Sequence, residues 1–150
     1  MSKTRILCIL LWVMSCKNTP QKSCLNDVER SRFKEVHVKY EYEEDCDYEI
    51  KPKPTYVSVS FSNEWNDSII AVANEKVVFS NFVETNSATG IAKQFFALEK
   101  TEVDELALYI IGDSTFFTFT IDKRFVQAKL YKKYDGSITV RMSNCITLAY

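Results

Sequence analysis

The sequence predicts an all-β fold, a single antiparallel β-sandwich or flattened barrel of about eight or nine strands, and three observations carry that expectation. Apolar residues recur at every second position in several short windows, as with Val57, Val59 and Phe61 against Ser58, Ser60 and Ser62. A period of two marks a strand with one buried face. Ten Phe and eight Tyr suit pleated, half-buried surfaces. The chain has only three glycines, and all fall between such windows, where it must reverse.

A chain of 150 residues with 46% hydrophobic and 26% charged residues has enough apolar surface for one core of ordinary size, hence a single body. The net charge of −1 excludes an overall basic protein drawn to nucleic acid, so no nucleic-acid partner is expected.

The elements follow in order. From Phe33 the chain alternates, with Val36, Val38, Tyr40 and Tyr42 on one side and Glu35, His37, Lys39, Glu41 and Glu43 on the other. This is a half-buried strand. An acidic turn, Glu44 to Asp47, leads through Tyr48 to Ile50 into Lys51-Pro52-Lys53-Pro54, where two prolines argue against a central strand. Thr55 to Ser62 is the cleanest strand, and Asn63 to Asp67 reads as a polar loop. Ser68 to Ala73 and Val77 to Val83 are β-branched runs around Asn74-Glu75-Lys76, a hairpin spacing. Ile91 to Leu98 is apolar on both faces at Phe95 and Phe96, which predicts a central strand. Leu106 to Ile111 is another strand, although residues 95–109 hold enough helix formers that a helix is the competing expectation. Thr115 to Ile121 follows the Gly112 turn. Phe125 to Lys132 and Ile138 to Ser143 flank the hairpin signal Tyr134-Asp135-Gly136, and Cys145 to Leu148 reads as a last short strand.

The first residues carry an address. Lys3 and Arg5 precede an uninterrupted apolar run, Ile6 to Met14, which ends on Ser15-Cys16. That is the plan of a secretory signal peptide over residues 1–15. At about 1.5 Å per residue the run falls well short of a bilayer core of about 30 Å, so it is a poor permanent span. Its end, Val13-Met14-Ser15-Cys16, resembles the bacterial lipoprotein signal. The resemblance implies diacylation of the Cys16 thiol, cleavage before it and acylation of the new amine, which would make membrane attachment long-lived. An ordinary secretory signal, leaving Cys16 as a disulfide partner, is the alternative. Residues 16–31, beginning Lys17-Asn18-Thr19-Pro20, show no apolar periodicity and read as the lipidated cysteine and a flexible tether. Residues 32–150 form the β-sandwich domain. That body is similar in style to small β-rich lipoproteins of Bacteroidota without assigned activity.

Chemistry in the body is sparse. If Cys16 is lipidated, Cys24, Cys46 and Cys145 remain, an odd number in a compartment that permits disulfides. Cys46 with Cys145 is the pairing preferred, since it joins the first and last parts of the body; the alternatives are that all three are unpaired or that Cys24 is a partner. His37 is the sole histidine and lies on the polar face of its strand, which excludes sites that need two. Glu43, Glu44, Asp45 and Asp47 form the centre of an acidic cluster that could meet a cation or a partner, but no calcium-loop spacing is present. Late bases, Lys123 to Arg141 against the single acid Asp135, complement the early acids. The simplest reading places the first and late strands side by side. The other is a basic patch with Tyr131 and Tyr134 for an anionic glycan or lipid headgroup. Trp65, in a polar loop, either stacks on a ligand or plugs the sandwich end.

No phosphate loop, paired-cysteine motif or histidine metal motif occurs, so neither an enzyme, a metal nor a cofactor is expected. The sequence expectation is an exported lipoprotein of the bacterial cell envelope, at the outer membrane, whose partners are the membrane through its acyl chains and a protein or glycan ligand. The alternative is an inhibitor or immunity lipoprotein that caps a toxin or hydrolase with its acidic face.

Overall fold

The structure, a computed structural model, describes residues 30–44 and 54–145. The expected signal segment, Cys16, Cys24, the turn residues Asp45, Cys46 and Asp47, and the last residues of the chain lie outside it.

Among the described residues are ten strands: β1 (Lys34–Glu35), β2 (Val38–Glu43), β3 (Tyr56–Asn63), β4 (Asn66–Ala73), β5 (Lys76–Glu84), β6 (Ile91–Glu99), β7 (Glu105–Ile110), β8 (Thr115–Thr120), β9 (Gln127–Lys132) and β10 (Ile138–Ser143). They form two five-stranded sheets, ordered β1-β8-β7-β4-β5 and β2-β10-β9-β3-β6. The chain is all-β and sandwich-like, and neither sheet closes into a barrel.

The core lies between the sheets. Val57, Val59 and Phe61 of β3 meet Ile69 and Ala71 of β4, Leu106 and Leu108 of β7, and Phe117 and Phe119 of β8, all fully buried. Alternate residues of β4 and β7, namely Ile70, Val72, Ala107 and Tyr109, belong to a second buried cluster with Phe33 and Phe116. Because strand side chains alternate, that cluster lies on the outer face of the first sheet. The strands that are apolar on both faces are thus β4 and β7.

Three expectations are corrected. The sheets are mixed rather than antiparallel, since β1 runs parallel to β8, β2 to β10 and β3 to β9. These pairs join segments far apart in sequence after the chain has crossed between sheets, a relation that local periodicity does not encode. Among the described residues the strand count is ten because the first expected strand breaks at Val36-His37. Its two-residue start pairs with β8, and the remainder crosses to β10. Finally, β6 is an edge strand, with Phe96 inward and Phe95 67% exposed.

Residues 95–109 are strand, turn and strand, not helix. Asn66 and Asp67, expected in a loop, open β4, and the β4–β5 hairpin is tighter than expected: its loop is Asn74-Glu75, both with positive φ (49° and 62°). At the β7–β8 turn, Asp67 accepts hydrogen bonds of 2.7 Å from the backbone N–H groups of Ser68 and Gly112, which ties that turn to β4.

Candidate binding cleft at the end of the sandwich

At one end of the sandwich the β9–β10 hairpin stands over the link between β1 and β2. Within the hairpin, Lys133 N–H donates to the Ser137 carbonyl at 3.0 Å and Gly136 N–H to the Lys133 carbonyl at 2.9 Å. Asp135 caps the turn by accepting from Ser137 N–H at 2.9 Å, and the Ser137 side chain, with that N–H, holds its carboxyl below the ordinary range. Gly136 supplies the left-handed φ of 81° that the reversal requires.

The tip of this rigid hairpin carries Tyr134, 92% exposed. Glu64 borders the same cleft, and its carboxylate pushes the phenol's pKa up. Glu64 is set in place where the chain leaves β3 through the left-handed Asn63 (φ 72°), with its N–H on the Lys132 carbonyl at 3.1 Å. Opposite, Lys132 Nζ pairs with Asp113 of the β7–β8 turn at 2.5 Å and lies 5.8 Å from the Trp65 ring centroid. The far wall is His37 with residues 34–36. Together these enclose a cleft of about 900 Å³. A smaller hollow of about 330 Å³, which Tyr134 and Glu64 also border, lies beside it.

Trp65 contributes nothing to this lining. It is 1% exposed, donates from Nε1 to the Leu130 carbonyl at 3.0 Å and meets Phe61 edge-on at 5.1 Å. Of the two roles the sequence allows, the burial of the ring fits the plug, with its indole N–H on a buried acceptor. Tyr134 is the exposed aromatic instead. Its signal in the sequence was the Tyr-Asp-Gly turn, which puts a large ring where no strand can bury it.

The acidic cluster resolves differently. Glu41 and Arg141 are register partners across the parallel pair β2–β10, joined at 2.8 and 3.1 Å, and that guanidinium holds the Glu41 carboxyl below its ordinary value. Glu43 accepts from the Ser143 hydroxyl at 2.9 Å, and Glu44 lies 3.9 Å from Arg124. The early acids and late bases thus complement each other across one sheet. Arg141 also lies 4.8 Å over Tyr131, so the two best-placed members of the expected basic patch are engaged with each other. Asp45 and Asp47 lie outside the described residues.

Burial pushes the Lys129 ammonium pKa down and the Tyr131 phenol up on that same sheet. Cys145 is disulfide-bonded; Cys46, its expected partner, lies outside the described residues. Among the described residues no group of three or more His, Cys, Asp or Glu side chains is placed to hold a metal, and no helix is long and apolar enough to cross a membrane.

The fold and cleft define a two-sheet β protein with a polar, aromatic-tipped hollow at one end. No family model, curated protein or solved structure matches the chain.

Proposed function

We propose that the chain is an exported lipoprotein of the bacterial cell envelope, held at the outer membrane by acyl chains on Cys16, and that its body is a binding module rather than an enzyme. The end cleft is its binding surface. One observation supports the binding reading: a nearly fully exposed aromatic ring, Tyr134, stands at the tip of a hydrogen-bonded hairpin turn on the border of a cleft of about 900 Å³. Fixed aromatic and polar groups around a concave surface are the usual composition of a ligand site. The anchor reading rests on Val13-Met14-Ser15-Cys16 after its apolar run.

Two measurements test this. Intact mass of membrane-extracted protein should begin at Cys16 with added acyl chains, and Cys16→Ala should leave the membrane fraction. An unacylated start elsewhere defeats the anchor. A photo-crosslinking phenylalanine at Lys133 should capture an envelope component in whole cells; no capture defeats the cleft. The capping alternative is second, because Glu41 and Glu43 of the acidic face are engaged by Arg141 and Ser143.

A further inference from the structure

Resting on that reading of the cleft, we propose that its ligand is a neutral oligosaccharide, with Tyr134 as the stacking platform and the Glu64 carboxylate as an acceptor for sugar hydroxyls. Charge balance is the first argument. Three lysines and His37 share the lining with four carboxylates, interspersed rather than segregated, and Lys132 and Asp113 neutralise each other at 2.5 Å. A polyanion would be brought against Glu64 and Asp135, and a polycation against Lys133 and Lys34. Like charges placed together oppose binding, whereas a neutral ligand meets donors and acceptors alike.

Tyr134 supplies the second. An aromatic ring left in water at a hairpin tip keeps its apolar faces available, and here the capped turn sets the backbone that carries it at the edge of the cleft. A sugar ring presents a C–H face to such a platform, and a tyrosine side chain has few rotatable bonds to order on binding. Glu64, on the same lining, offers carboxylate lone pairs to hydroxyl donors, and hydrogen bonds to a carboxylate are the stronger kind.

The third argument sets a peptide aside. Among the described lining residues Val36 is the sole aliphatic side chain. Protein interfaces depend on a desolvated apolar centre into which anchor side chains insert, and this cleft has none.

The full-length mature protein, in a detergent without a sugar headgroup, is titrated calorimetrically with neutral hexaoses of glucose, mannose and xylose, and with an oligogalacturonate as the anionic counterpart. At least one neutral hexaose should bind, more tightly than the anion. Tyr134→Ala should weaken that binding about tenfold, since an aromatic stack is worth up to about one decade. Glu64→Gln should weaken it less. Tyr134 packs on little, so an unchanged melting curve verifies that the variant folds. Equal affinity of Tyr134→Ala and wild type, preference for the anion, or no neutral binding at all overturns the saccharide. If saccharides fail while the crosslinker at Lys133 captures a polypeptide, the ligand class is wrong and the binding module stands. If nothing is captured either, both fall.

Discussion

The Nε of Arg30 donates a 2.7 Å hydrogen bond to the hydroxyl of Tyr109, which is buried on the outer face of the first sheet. Phe33 meets the same ring edge-on at 5.2 Å and Phe116 stacks on it at 5.5 Å. Arg30, placed by the sequence within the tether, is therefore tied to the body. Tyr109→Phe keeps the ring and removes the acceptor, so it should cost about 1–2 kcal/mol, the loss of one hydrogen bond to a charged group. Tyr109→Ala should cost about 3–5 kcal/mol, because the ring packing goes too. Urea denaturation at unchanged slope reads both, and equal stability of Tyr109→Phe and wild type would show that the bond contributes nothing.

Gly112 is required for a steric reason. A Cβ at this position would sit 2.5 Å from Asp67 Oδ2 and 2.8 Å from Oδ1, the carboxylate that the Gly112 N–H itself donates to. Gly112→Ala must displace Asp67 from two backbone donors in a confined site, at a cost of about 1–3 kcal/mol. Asp67→Ala removes the obstruction together with the bonds, so the double variant should lose less than the two single losses added. A thermal-melt cycle on the four proteins measures that difference.

Glu75 has φ 62° as the second loop residue of the β4–β5 hairpin, after Asn74 at 49°. Two positive φ values define the tight turn that favours Asn-Gly, and a side chain with a Cβ is strained there. Glu75→Gly relieves that strain but loosens the unfolded chain, leaving a net gain of about 0.5–1 kcal/mol. The Asn74 side chain, which donates to the Glu102 carbonyl, is untouched. A higher urea midpoint is expected, and a lower one would mean that Glu75 makes interactions worth more than its strain.

How far the sequence reached is set by the range of each physical signal. Alternation at Val57, Val59 and Phe61 marked β3 because burial on one face acts residue by residue along a single strand. Neighbour relations act between strands, so the adjacency of β2 and β10 was legible only through charge, in Glu41 opposite Arg141, and its parallel sense was not legible at all. Phe95 and Phe96 looked alike in sequence, yet one is buried and one exposed, since successive side chains of β6 point to opposite faces of the sheet and only one face meets the core. The cleft was the least visible feature. His37, Glu64, Asp113 and Tyr134 come from four separate connections, and nothing local announces that these meet.

The Glu41–Arg141 pair gives the fold a signed dependence on pH. The guanidinium's hydrogen bond lowers the Glu41 carboxyl below its ordinary 4.5, so the folded chain holds the proton less tightly than the unfolded chain does. The pair's stabilisation is complete above pH 4.5 and is lost as the pH falls through the lower, folded value. Asp122, lowered by Arg124, acts in the same direction. Wild type should thus exceed Glu41→Gln in melting temperature at pH 7, with the gap closing below pH 4. Raising the salt concentration should narrow the gap at pH 7, because the pair is partly exposed. A gap that persists unchanged at pH 3 would assign the effect to packing instead of charge.

Trp65 closes one end of the core, and its substitution separates plug from platform. Trp65→Phe retains an aromatic ring beside Phe61 but loses the Nε1 donor, so the Leu130 carbonyl is left buried without that partner and a void opens where the second ring lay. The lost hydrogen bond and the cavity together should cost about 2–4 kcal/mol. Since the ring is sealed from solvent, ligand affinity measured below the melting transition should change less than twofold, an order-of-magnitude bound for a side chain without direct ligand contact. A large stability loss with affinity preserved fixes the plug. Preserved stability with lost affinity would instead require Trp65 to reach the ligand, which its burial and its bond to Leu130 oppose.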